Sequence, residues 1–211
     1  MSRDRDPYER TLGILRQRLR AGEFGEGQPL QIQMLAADLN VSSTPVREAL
    51  SRLLGEGLIE RAVGGYHSVR YDAAILGEFY RLDEVYARAA MAAIARNPMR
   101  PATGLASVSV VRESDHVART EALLARLGAG GGQVLAAARR NLWDRLAPFR
   151  HTESFVFDDL DAEAGALSET LTTQNRVEIQ ALLRVYFRRR QRAAPEILGS
   201  FRLQKYQPDI P

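Results

Sequence analysis

The stretch whose reading decides the fold is Val41–Gly57, V-S-S-T-P-V-R-E-A-L-S-R-L-L-G-E-G. Ser42 is an N-cap residue type, with a hydroxyl able to satisfy a free N–H of the first helical turn. Glu48 lies too far along to close a capping box with it, so the cap rests on the serine. Pro45 fits a first turn, where a missing N–H costs nothing. Val46, Leu50, Leu53 and Leu54 recur at helical spacing and predict one buried stripe. Gly55 and Gly57 stop the helix. Arg47 sits on the flank of the stripe, one turn in, with Thr44 and Ser51 on the same side.

Upstream, Tyr8 to about Arg20 reads as a first helix, with Leu12, Leu15 and Leu19 on one face, after a terminus frayed over residues 1–7. Gly22, Gly25, Gly27 and Pro29 predict a turn. A second helix runs from about Gln31 to Leu39, and Asn40-Val41 connects it tightly to the third. This order is that of a helix-turn-helix. Downstream, Leu58–Ala62 and Tyr66–Tyr71 are short β-compatible runs around Val63-Gly64-Gly65, a pair of glycines that permits a hairpin. Three helices and a hairpin make a winged helix. Its third helix would enter a DNA major groove N-terminus first.

The same residues carry a family resemblance. V-S-S-T-P-V-R-E-A-L followed by G-L-I-E-R resembles the recognition helix and wing entry of GntR-family bacterial transcription factors, over Tyr8–Val69. The resemblance implies that Arg47 reads base edges, since arginine can bond guanine O6 and N7 bidentately. Ser42, Ser43 and Thr44 would reach phosphates through hydroxyls and the helix N-terminus, with Ser51 beside them and Gly65 and His67 at the wing. For the serines the other reading is capping. For Arg47 it is a surface pair with Glu48 or Glu56, and for His67 plain solvent exposure. Ser43 and Gln33 stand where the family often has arginine, which implies weaker non-specific binding or an altered operator. Arg52, about 140° around the helix from Arg47, reads as a solvated or interface residue.

The 211 residues suffice for two small domains, and 45% hydrophobic with 26% charged content is ordinary for a soluble protein. No apolar run approaches the ~20 residues of a membrane helix, and the polar start predicts no signal peptide. Without cysteine there is no disulfide, thiol nucleophile or thiolate metal site, and a cytoplasmic protein fits. The formal charge is +3, and 28 of the 29 basic residues are arginine. Residues 1–70 hold ten arginines and nine acids, so DNA binding must rest on where charges sit, not on bulk charge.

From Asp72 the pattern changes. Ile75, Phe79, Leu82, Tyr86, Ala89 and Ala93 predict the inner face of a long helix ending near Asn97-Pro98. Thr103–Val111 fits strand or helix. Further helices are expected over Asp115–Leu127, around Leu135–Leu146 ending near Pro148, over Asp161–Thr172, and from Asn175 to about Ala194. Gly199–Pro211 reads as loop or extended chain. The fold class expected is therefore mostly α: a winged helix-turn-helix over residues 1–71, then an all-helical bundle over 72–211. The bundle, with Asn141–Arg150 as its middle helix, resembles the FadR C-terminal (FCD) ligand-binding domain.

That second resemblance implies a homodimer on a pseudo-palindromic operator and a small-molecule effector such as an organic acid. Many FCD domains hold a divalent metal through one aspartate and three histidines. Here only His67, His116 and His151 exist, Tyr186 stands where the last histidine would fall, and Arg119–Leu124 occupies the place of the first ligands. The family metal site reads as lost, with no cofactor expected. Arg81 and Tyr86 on the first long helix, with Tyr186 on the last, would line a pocket for a carboxylate. The other reading has the tyrosines in the core and Arg81 exposed. Arg188, Arg189, Arg190 and Arg192 read as a solvated face near a helix C-terminus. No nucleophile, metal or phosphate-loop pattern supports an enzyme, and adjacent Asp83 and Glu84 diverge by about 100° on a helix. An effector-less dimeric regulator is the alternative reading.

Overall fold

The computed structural model describes residues 6–96, 116–128, 131–173 and 175–206. The chain divides into two compact units: residues up to Tyr71 together with the segment from Phe201, and Asp72–Ser200. Met1–Arg5 and the ambiguous Thr103–Val111 fall outside the described residues. No helix among the described residues is long and apolar enough to cross a membrane.

The first unit runs α1 (Pro7–Arg20), α2 (Ile32–Asp38), α3 (Ser43–Gly55), β1 (Ile59–Ala62) and β2 (Gly65–Ser68). Asp6 and Pro7, expected within a frayed terminus, are instead part of the helix start: the Asp6 carboxylate accepts from the Tyr8 N–H at 3.0 Å and caps α1 ahead of Pro7. All three helices end in the same way. Gly22, Asn40 and Gly57 take the left-handed conformation, with φ of 65°, 52° and 68°. In each case the next two N–H groups close back on the last turn: Gly22 on Leu19 and Glu23 on Arg18; Asn40 on Ala37 and Val41 on Ala36; Gly57 on Leu54 and Leu58 on Leu53. These are Schellman closures, which satisfy carbonyls the helix leaves open.

Asn40 is the one non-glycine of the three, and among the described residues no other non-glycine has a positive φ. It forms the turn between α2 and α3. Asn40→Val is expected to destabilise the fold by about 1–2 kcal/mol, because a β-branched side chain resists this conformation. Asn40→Gly is expected to be neutral or stabilising. Urea unfolding followed by circular dichroism measures both.

α3 buries Val46, Ala49 and Leu50 almost fully, with Leu53 at 0% exposure and Leu54 half-buried. Burial of each large side chain supplies about 1.5–3 kcal/mol. They pack on Leu15 of α1, Leu35 of α2 and Ile59 of β1. Ser42 holds the N-cap position but makes no side-chain capping bond, contrary to the sequence expectation; its side chain stays exposed. β1 and β2 pair antiparallel from Ile59↔Ser68 to Ala62↔Gly65, which leaves Val63-Gly64 as a two-residue loop. β2 ends at Ser68, short of Tyr71. The segment before α2, expected as a plain turn, is partly strand-like. The Gly27 N–H donates to Ser68 O, Ser68 N–H to Gln28 O, and Leu30 N–H to Tyr66 O at 2.8–3.1 Å. These bonds hold the wing against the body of the unit.

The second unit contains α4 (Ala73–Arg96), α5 (His116–Gly128), α6 (Gln133–Arg150), a 3-10 turn (Glu153–Phe155), α7 (Leu160–Thr173), α8 (Arg176–Arg192) and the start of α9 (Ala194–Tyr206). Its centre is α4, packed by α5, α6 and α8. The buried face of α4 is Leu76, Tyr80, Asp83, Ala87, Ala90 and Met91. It is not the expected Ile75, Phe79, Leu82, Tyr86, Ala89 and Ala93. Ile75 and Leu82 are 39% exposed, Ala89 is exposed, and Phe79, Tyr86 and Ala93 are half-buried. Two registers fit the helical period, and the one that buries an aspartate wins because that aspartate is paired.

Two other boundaries differ. α6 passes through Pro148 to Arg150, since one lost N–H near the helix end is outweighed by the burial of Phe149 and Arg150. α9 continues through Gly199 to Tyr206 instead of opening into loop, with Ile197, Leu198 and Phe201 buried along it.

Candidate nucleic-acid interface

A groove of about 730 Å3 runs between the N-terminus of α2, the flank of α3 and the wing. Five of the expected residues line it together: Gln33, Arg47, Ser51, Gly65 and His67. Gln33, Arg47 and Ser51 are exposed, and Gly65 and His67 are half-buried. The remaining three lie at the start of α3. All are exposed, and Ser42 and Thr44 face a second cleft, shared with Tyr8 and Arg10 of α1.

Arg47 has no hydrogen bond or ion pair among the described residues. The competing surface pair with Glu56 does not form. Glu56 is taken by Arg16 at 2.6 Å and by Arg52 at 2.7 Å. Burial pushes the Glu56 carboxyl up, but these two guanidiniums prevail and hold it below the usual range. Arg52 therefore ties down the end of α3, and Arg47 keeps its five N–H donors free toward the groove.

Sequence reasoning missed two residues here. Tyr66, on β2, shares a hydrogen bond with Ser51 at 2.9 Å between the hydroxyls. Ser51 is thus engaged in holding the wing to α3 as well as facing the groove. Arg61, opposite Tyr66 in the strand register, lies over its ring at 5.2 Å and lines the same groove. The Ser51 hydrogen bond lowers the Tyr66 phenol below the ordinary tyrosine range, burial opposes it, and the charges of Arg61 and Arg47 add to the lowering. Only the hairpin register, which pairs position 61 with 66, could have disclosed this pair from sequence.

The three residues expected around an effector are not brought together. Arg81 is exposed, Tyr86 is half-buried, and Tyr186 is 2% exposed within the core. Exposed Arg81 and core Tyr186 follow the alternative arrangement, while Tyr86 is only partly in the core; the Tyr186 ring meets Phe187 edge-on at 5.0 Å. The interior instead holds charge. Asp83 accepts from Arg139 Nε at 2.7 Å, from Arg150 Nη2 at 2.7 Å and from Trp143 Nε1 at 3.0 Å. Arg150 also donates to Glu121 at 2.9 Å. In a second cluster, Arg190 donates to Glu153 at 2.9 Å and to Glu163 at 2.6 Å, and the Tyr80 hydroxyl donates to Glu153 at 2.8 Å. Burial pushes the Tyr80 and Tyr186 phenols above their ordinary range, so both stay protonated.

Arg190 corrects the expected solvated basic face. It is 1% exposed, and Arg189 beside it pairs with Asp159. The metal-ligand pattern of the FCD resemblance does not fit either. Among the described residues no group of three or more His, Asp or Glu side chains could hold an ion. His67 lies in the wing, His116 opens α5 and His151 follows α6.

Comparison with known proteins accords with the geometry of the first unit. Residues 7–66 match the family model described as bacterial regulatory proteins, gntR family. A putative transcriptional regulator GntR from Rhodococcus sp. RHA1 is similar in structure, with a TM-score of 0.58 and 21% identity, covering 91% of this chain and 97% of that one. E. coli McbR/YncC is similar at a TM-score of 0.60 and 18% identity, covering 96% of this chain and 99% of that one. No curated protein sequence gave a match. Residues 7–66, folded as a winged helix-turn-helix, therefore match the gntR family of bacterial regulatory proteins, and the chain shares its fold with the two solved structures.

Proposed function

We propose that the chain is a sequence-specific, DNA-binding transcription regulator that acts as a homodimer on a pseudo-palindromic operator. One observation carries this reading: Arg47 stands exposed and unpaired in the groove between α3 and the wing, with Gln33, Gly65, His67 and Arg61 around it. A free guanidinium suits guanine O6 and N7. The exposed Ser42, Ser43 and Thr44 at the start of α3 suit phosphates, which position the helix without reading sequence. In this account residues 1–71 read DNA and 72–211 associate, in the cytoplasm of a bacterium.

A second reading concerns the effector. Residues that would hold an organic acid are dispersed, and the bundle interior is occupied by arginine–carboxylate clusters. This favours a regulator without a small-molecule effector over one with a carboxylate sensor.

Selection of bound fragments from genomic DNA tests the proposal. The expected result is enrichment of an inverted repeat with half-sites about one helical turn, roughly 34–36 Å, apart. Recovery of fragments without a shared motif would contradict sequence-specific reading. Recovery of a single half-site would contradict the homodimer.

A further inference from the structure

The face of α4 opposite the core carries its own pattern. Ile75, Glu78, Leu82, Val85, Ala89 and Ala92 are spaced three and four apart, the seam spacing of paired helices. All six are exposed, Val85 at 54%. At 100° per residue this stripe lies about 180° from the buried Leu76–Tyr80–Asp83–Ala87 face. Glu78 and, at the stripe's edge, Arg81 have no partner among the described residues. Arg88 makes only a 3.8 Å contact with Glu84.

We infer that this stripe of α4 packs antiparallel against the same stripe of a second copy, about a two-fold axis passing between Leu82 and Val85. The inference rests on the homodimer reading above and assigns its surface. The sequence of the stripe is complementary to its own reversal. Leu82 comes level with Val85 of the second copy, Ile75 with Ala92, and Glu78 with Ala89, next to Arg88. Glu78 and Arg88 then meet as opposite charges at both ends of the seam. Phe79 and Tyr86, half-buried at one edge, come level with Arg88 and Arg81 of the second copy. The parallel alternative sets Glu78 against Glu78 at a buried position, which is costly.

The chain has no cysteine, so disulfide trapping is direct. Wild-type protein is expected to sediment as a dimer of the 23.5 kDa chain. Leu82→Glu, at a site exposed in the single chain, is expected to weaken association by about 100-fold or more while leaving the melting curve of the monomer intact. Glu78→Cys/Ala89→Cys is expected to oxidise to a covalent dimer, and Ala89→Cys alone is not, because its two copies lie about 16 Å apart axially. Efficient trapping by Ala89→Cys alone would overturn the antiparallel arrangement. A Leu82→Glu protein that stays dimeric would overturn the surface but leave the homodimer standing. A monomeric wild type would overturn the homodimer reading itself.

Discussion

Asp83→Ala is expected to lower the unfolding free energy of the second unit by about 3–5 kcal/mol, the cost of removing one partner from a buried ion pair. The aspartate is fully buried, and its two oxygens accept from Arg139, Arg150 and the Trp143 indole. Deleting it leaves two guanidiniums in the interior. Arg150 keeps Glu121, and Arg139 keeps only the Leu124 carbonyl, 2.9 Å away, and the Trp143 ring. Such charges cannot deprotonate to escape burial. Trp143 is the chain's one tryptophan and touches Asp83, so its fluorescence reports this unit directly. With a urea m value of about 2 kcal/mol/M, the midpoint should fall by roughly 1.5–2.5 M. Asp83→Asn keeps the shape and loses the charge, and is expected to lose most of the same stability. Full stability in Asp83→Asn would show that hydrogen bonding, not charge balance, holds the site.

Arg47→Ala is the second large effect. The side chain is exposed and unpaired, so its removal takes nothing from the fold, and the melting temperature should be unchanged. A bidentate arginine–guanine contact is worth about 1–3 kcal/mol, which is about 5- to 150-fold in discrimination per half-site. With two half-sites the losses compound, and specific binding should fall toward the non-specific level. Arg47→Lys keeps the charge but not the fork, so it should restore non-specific affinity without restoring specificity.

Legibility followed local chemistry. The first unit could be read because each signal there is short-range: proline in the first turn of α3, glycines at helix ends, and alternation around Gly64-Gly65. The turn between α2 and α3 was placed correctly although its left-handed residue is asparagine, which tolerates that conformation better than most. The Ser42 cap was misjudged because position fixes only what a hydroxyl can reach, not where it turns. Tyr66 and Arg61 stayed hidden because their meeting depends on strand register.

The second unit was less legible for a physical reason. On α4 two apolar registers compete, and the bulkier one, Ile75 and Leu82, is the one left exposed. What decides is Asp83, whose burial makes sense only with Arg139 and Arg150 supplied from a helix more than fifty residues away. Arg190 is the same case: a basic run looks solvated until Glu153 and Glu163 are placed beside it. Long-range charge pairing leaves no local trace.

The central claim is that a free Arg47 guanidinium in the α3–wing groove reads base sequence. Its most direct test is a titration of wild type and Arg47→Ala against the selected operator and a scrambled duplex, by fluorescence anisotropy at matched salt. The account predicts that the operator-to-scrambled affinity ratio collapses toward one in Arg47→Ala while the melting temperature holds. An undiminished ratio in the variant would contradict it.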